Sequence, residues 1–392
     1  MNCAKGQNMK KIKDFFKKLN ECTPKPAKVL FVLALISLIL KIAFSLSPVF
    51  SDFYNRYPGA FFRMINAKLT GWFPFSLAET ILMLMPLIVT VLVVMIIKVS
   101  KKTLRDMVKM MMSLLAALAF FFTSFTFTFA AGYSGTSLDE KLGISRQKVS
   151  ADELYDTAKI LLDGISEVSG QIEFRYGSSS VMPYTLDEMN RLLQDAYIEA
   201  SKDYSFLPAF RTRVKYVVMS EPMTYTHISG VYTYFTGESN INTNFPDYTL
   251  PYTAAHELAH QRGISKEDEA NFVAFLVCLK SDDPYIRYSG FMSVYEYVIS
   301  ALYRADKDKY TALLSETDSR LRYEMIAYND FFEKYRDNVA ADISGTINDT
   351  YLASQGQKEG SRSYGMVVDL AVAYYKGKQV TPGAARTRSE PS

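Results

Sequence analysis

Residues 253–263 read Thr-Ala-Ala-His-Glu-Leu-Ala-His-Gln-Arg-Gly and contain the pattern His256-Glu257-x-x-His260. Residues four apart on a helix lie on the same face, so the two imidazoles can reach one metal ion. Glu257 is rotated around the helix, where a carboxylate can hold and deprotonate a metal-bound water. The whole chain has only three histidines, so chance explains this spacing poorly. The stretch predicts the zinc-binding helix of a metallopeptidase.

The metal helix is expected to run from about Tyr252 to Arg262. Gly263 can adopt the left-handed backbone that commonly ends a helix. Ser265 then fits the N-cap of the next helix, with Asp268 as its capping partner three residues on. That second helix is apolar nearly all round, which is typical of a buried helix.

A catalytic zinc takes three protein ligands and leaves a fourth position open. Glu269 is the favoured third ligand, because it lies on the same inward-facing helical stripe as Phe272. Glu267 is the alternative, and His227 is a more distant candidate. A third histidine three residues after the glycine, as in HExxHxxGxxH, is excluded because that position is Lys266.

The expected chemistry is peptide hydrolysis by a zinc-bound water. Zinc lowers the pKa of that water to about 7. Glu257 takes the proton, and the hydroxide attacks a carbonyl polarised by the metal. A neutral donor is then needed for the oxyanion. Tyr351 and Tyr364, from the tyrosine-rich last third of the chain, are the candidates.

The overall composition excludes some classes of protein. A net charge of +3 across 392 residues is too small to indicate nucleic-acid binding. The three cysteines, Cys3, Cys22 and Cys278, form neither a disulfide framework nor a CxxC metal site. The expected partners are a protein or peptide substrate and membrane lipids.

Three apolar segments, at about 29–50, 78–98 and 110–133, are each long enough to cross a bilayer. The lysine-rich arm 1–28 precedes them, and its residues 9–20 have the pattern of a basic amphipathic helix on an anionic membrane surface, with a disordered cationic tail as the alternative. Lysine and arginine are also concentrated in the connection 98–109. The positive-inside rule therefore places the N-terminus in the cytoplasm and everything after the third segment outside the cytoplasmic membrane.

From residue 134 to 376 the composition is that of a folded domain outside the membrane. Residues 149–165 and 185–201 have helical periodicity, whereas Val214–Met219 and Gly230–Phe235 are rich in β-branched and aromatic residues. Within the second strand, Val231–Phe235 is the expected edge for an extended substrate. Residues 240–246 are expected to form a polar loop.

The predicted fold class is therefore α+β. Three transmembrane helices precede a mainly helical, zincin-like metallopeptidase domain with a small β-sheet. Residues 377–392 are rich in Gly, Pro, Arg and Ser and are expected to be a disordered tail.

The motif HELAHQxG followed by DEANF resembles the zinc-binding block of a bacterial family of unknown function, whose membrane-anchored members are described as candidate zinc metallopeptidases. Glu269-Ala270-Asn271 is also similar to the Glu-Ala-Asn of gluzincin-like peptidases, in which that glutamate is the third ligand. The resemblance extends over most of residues 28–376 and is carried by further segments: Trp72–Glu79, Pro251–His256, Asn348–Tyr351, Gln355–Gly360 and Ser363–Tyr364.

The sequence thus predicts a membrane-anchored, zinc-dependent metalloprotease. The site consists of His256, His260 and Glu269 as metal ligands, Glu257 as the base and Tyr364 as a catalytic donor. The alternative is a catalytically silent receptor or scaffold that binds peptides on a peptidase fold. Retention of Glu257 favours the enzyme, because a binding protein has no need of a general base.

Overall fold

A computed structural model describes residues 13–175, 179–357 and 365–380. It is mainly helical with one small three-stranded sheet, in agreement with the coarse fold prediction. Residues 13–22 are helical, and the earlier part of the predicted amphipathic helix lies outside the described residues. The same holds for Tyr364 and for most of the predicted disordered tail, since the last helix extends to Val380.

The N-terminal third consists of apolar helices with short connections. Two π-helical turns, Asn55–Gly59 and Thr126–Ala130, interrupt them. The α-helices of this part are α1 (Lys25–Leu46), α2 (Pro48–Tyr54), α3 (Ala60–Gly71), α4 (Leu77–Met83), α5 (Met85–Ser100), α6 (Leu104–Phe125) and α7 (Ala131–Ser134).

Two helical segments, Lys25–Leu46 and Leu104–Ser134, are long and apolar enough to cross a membrane. The count becomes three if α4 and α5 form one span, and these two helices are bent by 55° at their junction. Pro86 lies in the first turn of α5 and has no N–H to continue the hydrogen bonding of α4. Every side chain of α5 is accessible, as expected for a helix surrounded by lipid. These helices indicate a membrane protein.

The remaining helices belong to the part that follows the membrane segments. Capping residues begin several of them: a Ser150–Glu153 capping box begins α9, and Thr185 caps α10, so both predicted helices are confirmed. The helices are α8 (Leu138–Leu142), α9 (Ala151–Ser169), α10 (Leu186–Asp203), α11 (Ser220–Thr224), α12 (Thr249–Gln261), α13 (Glu267–Cys278), α14 (Pro284–Ala305), α15 (Lys307–Glu316), α16 (Ser319–Glu333), α17 (Val339–Ser354) and α18 (Val367–Val380).

The sheet has the strand order β1-β3-β2, with β1 at Val214–Tyr216, β2 at Gly230–Thr233 and β3 at Glu238–Ile241. Strand β3 pairs parallel to β1 and antiparallel to β2. The prediction of a polar loop from residue 240 is therefore wrong at its start, because Asn240 and Ile241 belong to the central strand. Polar residues are rare in central strands. Here Glu238, Ser239 and Asn240 are buried, and each makes at least one hydrogen bond.

The main core forms where α12 and α13 pack against α14, with α9 packed on α14 and α18 packed on both α13 and α14. All residues of α13 are buried, which agrees with its apolar periodicity. The core thus encloses the helix pair that carries the histidine motif and its following acidic residues.

Glu296 on α14 is half-buried, and Tyr248 donates a hydrogen bond of 2.6 Å to its Oε1. Burial, aided by the nearby Glu324, raises the pKa of Glu296 from its ordinary 4.5 to about 7. The folded carboxyl group holds its proton more tightly than the unfolded one. Its stabilising contribution is therefore complete below pH 4.5 and is lost as the pH rises through 7.

Replacing Glu296 with Gln removes the buried charge and keeps an acceptor for Tyr248. We expect this substitution to raise the free energy of unfolding by about 2 kcal/mol at about pH 8.5, with little change at about pH 5. Denaturant unfolding of the full chain in detergent at both pH values measures this. The exposed Glu140→Gln is the control, and an equal effect of Glu296→Gln at the two pH values would contradict the prediction.

Candidate metal centre

Helices α12 and α13 bring the titratable residues of the motif together. Helix α12 begins three residues before the predicted Tyr252 and ends at Gln261. Gly263 follows with φ of 93°, the left-handed conformation that its lack of a side chain permits. The chain then reverses and starts α13 at Glu267, so the head of α13 lies beside the histidine-bearing face of α12.

His256, His260 and Glu267 form a buried cluster whose ligand atoms all lie within 4.8 Å of one another. Glu267 Oε2 is 3.2 Å from His256 Nε2 and 3.3 Å from His260 Nε2. Three ligands bound at about 2.1 Å to one tetrahedral ion lie about 3.4 Å apart. The two distances therefore fit a small ion between these side chains.

A backbone carbonyl fixes the orientation of the His260 ring. Its Nδ1 lies 2.7 Å from the backbone oxygen of Ile264, so Nδ1–H donates to the carbonyl and the lone pair of Nε2 faces the cluster. His256 Nδ1 has no hydrogen bond of normal geometry among the described residues, although the Asn271 side chain lies beside it. Glu267 Oε2 is likewise buried and makes no hydrogen bond of normal geometry to the described residues, although both Nε2 atoms lie close to it, an arrangement that a bound metal ion would satisfy.

The geometry does not agree with the prediction of Glu269 as third ligand. Glu269 Oε1 accepts hydrogen bonds from the backbone N–H of Leu138, at 3.1 Å, and from Lys266 Nζ, at 3.0 Å. Glu267 and Glu269 are two residues apart on one helix and so point in directions about 200° apart. Because α13 begins at Glu267, that residue and not Glu269 faces His256 and His260.

The predicted capping arrangement is also wrong. Ser265 Oγ donates to the backbone oxygen of Phe129 at 2.8 Å, and Lys266 occupies the N-cap position without a side-chain cap. Asp268 forms an ion pair of 2.6 Å with Arg146. The acidic residues at the head of α13 are favoured there by the positive end of the helix dipole.

Glu257 lies on α12 beside strand β2. The Tyr232 backbone N–H donates to its carboxylate, and Ser239 Oγ donates to its backbone oxygen at 2.9 Å. A Cβ on Gly230 would lie 2.6 Å from Glu257 Oε1, so a glycine is needed where β2 passes this carboxylate. The other oxygen, Glu257 Oε2, is buried and makes no hydrogen bond to the described residues.

Burial determines the protonation of these groups when no metal is bound. It raises the pKa of Glu257 to about 8 and lowers that of His256. Burial opposes the charged form of His260 too, but the charge and hydrogen bond of Glu267, together with the charge of Glu257 and the Ile264 carbonyl, outweigh it and raise the pKa of His260 to about 9. The two imidazoles in turn hold the pKa of Glu267 well below its usual range, against burial. Glu267 is therefore a carboxylate, as a metal ligand must be.

The membrane-side helices support the turn that follows α12. Arg63 on α3 is buried and donates to the backbone oxygens of Arg262, at 3.1 Å, and Thr128, at 2.7 Å. It also binds the backbone and side-chain oxygens of Asn55, at 2.7 and 2.8 Å. Asn55 Nδ2 donates to the backbone oxygen of Gly263 at 2.8 Å. The backbone on both sides of the turn is thus bonded to residues between the first two apolar segments.

The remaining candidates from the sequence are the two tyrosine donors and the third histidine. Tyr351 on α17 is mostly buried, with its hydroxyl 3.1 Å from that of Tyr133, and burial raises its pKa to about 12. The charge of Glu267 adds to this rise in the pKa of Tyr351. Tyr364 lies outside the described residues. His227 bonds through Nε2 to the backbone oxygen of Tyr335 at 2.7 Å and does not join the cluster.

Sequence reasoning missed the supports of the site. Nothing in the sequence pattern indicated that Arg63 and Asn55, about two hundred positions away, bind the turn after α12. Gly230 and Tyr232 gave a weak signal, because they belong to the strand expected beside the metal helix. Glu267 had been named as the alternative ligand.

The family model described as a protein of unknown function, DUF3810, matches residues 54–372. This chain is a DUF3810 protein. The matched region contains the whole metal cluster together with Asn55 and Arg63, so the DUF3810 domain includes membrane-side helices as well as the histidine motif. The predicted membership of a family of unknown function is confirmed at this level. Neither the curated proteins nor the solved structures contained a match to the chain.

Proposed function

We propose that this DUF3810 protein is a membrane-anchored zinc metalloprotease. The observation that carries the proposal is the placement of Glu267 Oε2 at 3.2 and 3.3 Å from the Nε2 atoms of the two histidines. Glu257 lies on the same helix as both histidines. Two imidazoles and a carboxylate are a ligand set that suits zinc. A scaffold that only bound peptides would have no use for a buried carboxylate next to such a site.

Each residue has a distinct role in this proposal. His256, His260 and Glu267 hold the zinc, which when bound supplies a Lewis acid and lowers the pKa of water to about 7. Glu257 accepts the proton, and the positive charge of bound zinc would favour the carboxylate form that this task requires. Tyr351 is the described candidate donor to the oxyanion, since its pKa of about 12 keeps it protonated.

The edge strand β2 is the proposed substrate platform, in accordance with the sequence expectation for Val231–Phe235. A mixed sheet whose antiparallel edge strand lies beside the metal helix supports a zincin-like fold. The positive-inside rule supports an extracytoplasmic location for this domain. Substrates would then be protein or peptide segments outside the cytoplasmic membrane.

The metal content of the purified full chain tests the ligand assignment. We expect about one zinc per chain in the wild type, and at least ~100-fold weaker zinc binding in Glu267→Gln. Glu269→Gln is the matched control, because it removes one charge from the same helix turn but leaves the cluster intact. Elemental analysis together with competition against a chelator measures both quantities.

The opposite pattern would identify Glu269 as the ligand, with zinc lost in Glu269→Gln and retained in Glu267→Gln. A folded wild-type chain that binds no zinc would overturn the proposed function. The full chain is required in these measurements, because a fragment beginning at residue 134 lacks Asn55 and Arg63.

A further inference from the structure

We propose that the substrate of this site is a polypeptide tethered to the bilayer on the N-terminal side of the cleaved bond. This inference rests on the proposed function and specifies its substrate class. It follows from the position of strand β2 between the metal cluster and the apolar helices, and from the direction in which β2 runs.

Strand β2 begins at the metal site and ends at the membrane helices. Gly230 lies against Glu257, whereas Tyr234 and Phe235, just beyond the strand, pack on α6. The ring centroids of Tyr234 and Phe125 are 5.3 Å apart, and those of Phe235 and Phe121 are also 5.3 Å apart. Both phenylalanines belong to the candidate span Leu104–Ser134.

One edge of β2 faces the Glu257 side chain at the metal site and not another described strand. Among the described strands, β2 pairs with β3 alone, and Asn242 N–H donates to the Ser229 oxygen at 2.8 Å on that side. Because backbone groups alternate along a strand, those of Gly230 and Tyr232 face away from β3. The Tyr232 N–H points to the Glu257 carboxylate and donates a hydrogen bond to it. An extended peptide added to this edge would therefore pass the proposed base.

The direction of such a peptide decides which of its ends meets the bilayer. Antiparallel pairing is the more stable and more common arrangement, and β2 already pairs that way with β3. An antiparallel peptide runs opposite to β2, so its N-terminal side lies toward Tyr234. There Thr128 Oγ1 lies 3.4 Å from the Tyr234 backbone oxygen, so a peptide on this edge would leave it at that point, beside α6.

The distance to the bilayer is short. Three residues separate Tyr232 from Phe235, and even a fully extended backbone of that length spans only about 10 Å. The opposite edge of the sheet is also at the membrane side, because Glu79 at the start of α4 accepts from the backbone N–H groups of Val218, at 3.0 Å, and Met219, at 2.7 Å. Val218 is 79 % exposed and Trp72 is 87 % exposed, as suits residues at a lipid interface. A substrate bound on β2 is thus cut within several residues of its anchor.

A comparison of anchored peptides tests the inference. The purified full chain, loaded with zinc, is reconstituted in phosphatidylethanolamine–phosphatidylglycerol vesicles. It is given one library of short random-sequence peptides in three forms: free, palmitoylated at the N-terminus, and palmitoylated on a C-terminal lysine. The two lipidated forms concentrate equally on the vesicles, so each controls for the local concentration of the other. Glu257→Gln provides the background.

We expect the N-terminally anchored library to be cut at least about tenfold faster than the C-terminally anchored one. We also expect the cuts to lie at a nearly constant distance from the anchor when a spacer is lengthened. Equal rates for the two anchored forms, or a faster rate for the free or C-anchored peptides, would overturn this inference and leave the protease proposal standing. If the wild type cuts no form more than Glu257→Gln does, both proposals are overturned.

Discussion

Glu257→Gln is expected to lower peptide hydrolysis by about 10³-fold while zinc remains bound. The amide cannot accept a proton, but it has the same shape and can still accept a hydrogen bond from the Tyr232 N–H. His256, His260 and Glu267 are untouched, so the metal affinity should change little. Hydrolysis of a dye-labelled unfolded protein and zinc content, measured on the same preparation, separate the two effects.

Glu269→Gln is the appropriate control for this variant, because Glu269 is a buried acid near the cluster that bonds to Leu138 and Lys266 instead. Its activity should stay close to that of the wild type. If Glu257→Gln hydrolyses the substrate at the wild-type rate, Glu257 is not the base. If Glu257→Gln loses zinc, the loss of activity says nothing about proton transfer, and the assignment of Glu257 as a non-ligand is wrong.

The second large effect is a loss of stability. We expect Arg63→Met to lower the free energy of unfolding by about 4 kcal/mol. The substitution leaves the backbone oxygens of Asn55, Thr128 and Arg262 without their buried donor. Zinc binding should also weaken by about 10- to 100-fold. The reason is that the Ile264 carbonyl that orients His260 follows directly on the turn that Arg63 and Asn55 hold.

Arg56→Met is the matched control for Arg63→Met, since Arg56 lies in the same segment but is exposed. It should alter neither stability nor zinc affinity appreciably. Denaturant unfolding in detergent and a zinc titration under native conditions provide the two measurements. A wild-type zinc affinity in folded Arg63→Met would show that the turn keeps its shape without the arginine, contrary to our expectation.

Much of the fold follows from simple patterns in the sequence. The apolar runs that form α1 and α6 and the periodic stretches that form α9 and α10 could be recognised because lipid or core burial imposes them directly. The bend between α4 and α5 was less accessible, since Pro86 is compatible with both a straight and a kinked membrane helix. Strand β3 was missed because burial usually selects apolar strands. Here Lys215 forms a buried ion pair with Glu238, which also accepts from the N–H of Leu77 at 3.1 Å.

The candidate site, like the fold, could be predicted from the sequence only in part. The spacing of His256, Glu257 and His260 is a local property of one helix, and the sequence contains it in full. The third ligand depends on the residue at which α13 begins. A shift of the helix start by two residues would exchange Glu267 for Glu269 at the cluster, and such a shift is beyond what capping patterns resolve. The contribution of Arg63 depends on tertiary packing alone.

The bonds of Arg63 have a consequence for how the protein is made. Its acceptors come from three places in the chain: Asn55 near the first apolar segment, Thr128 at the end of the last, and Arg262 beyond the histidine motif. During synthesis these parts emerge in that order, so the arginine stays incompletely bonded until all the apolar helices have inserted and the later domain has folded back on them. In the proposed protease, the turn beside the metal ligands would then be completed only after membrane insertion, so a chain arrested before insertion would bind zinc more weakly than the finished protein.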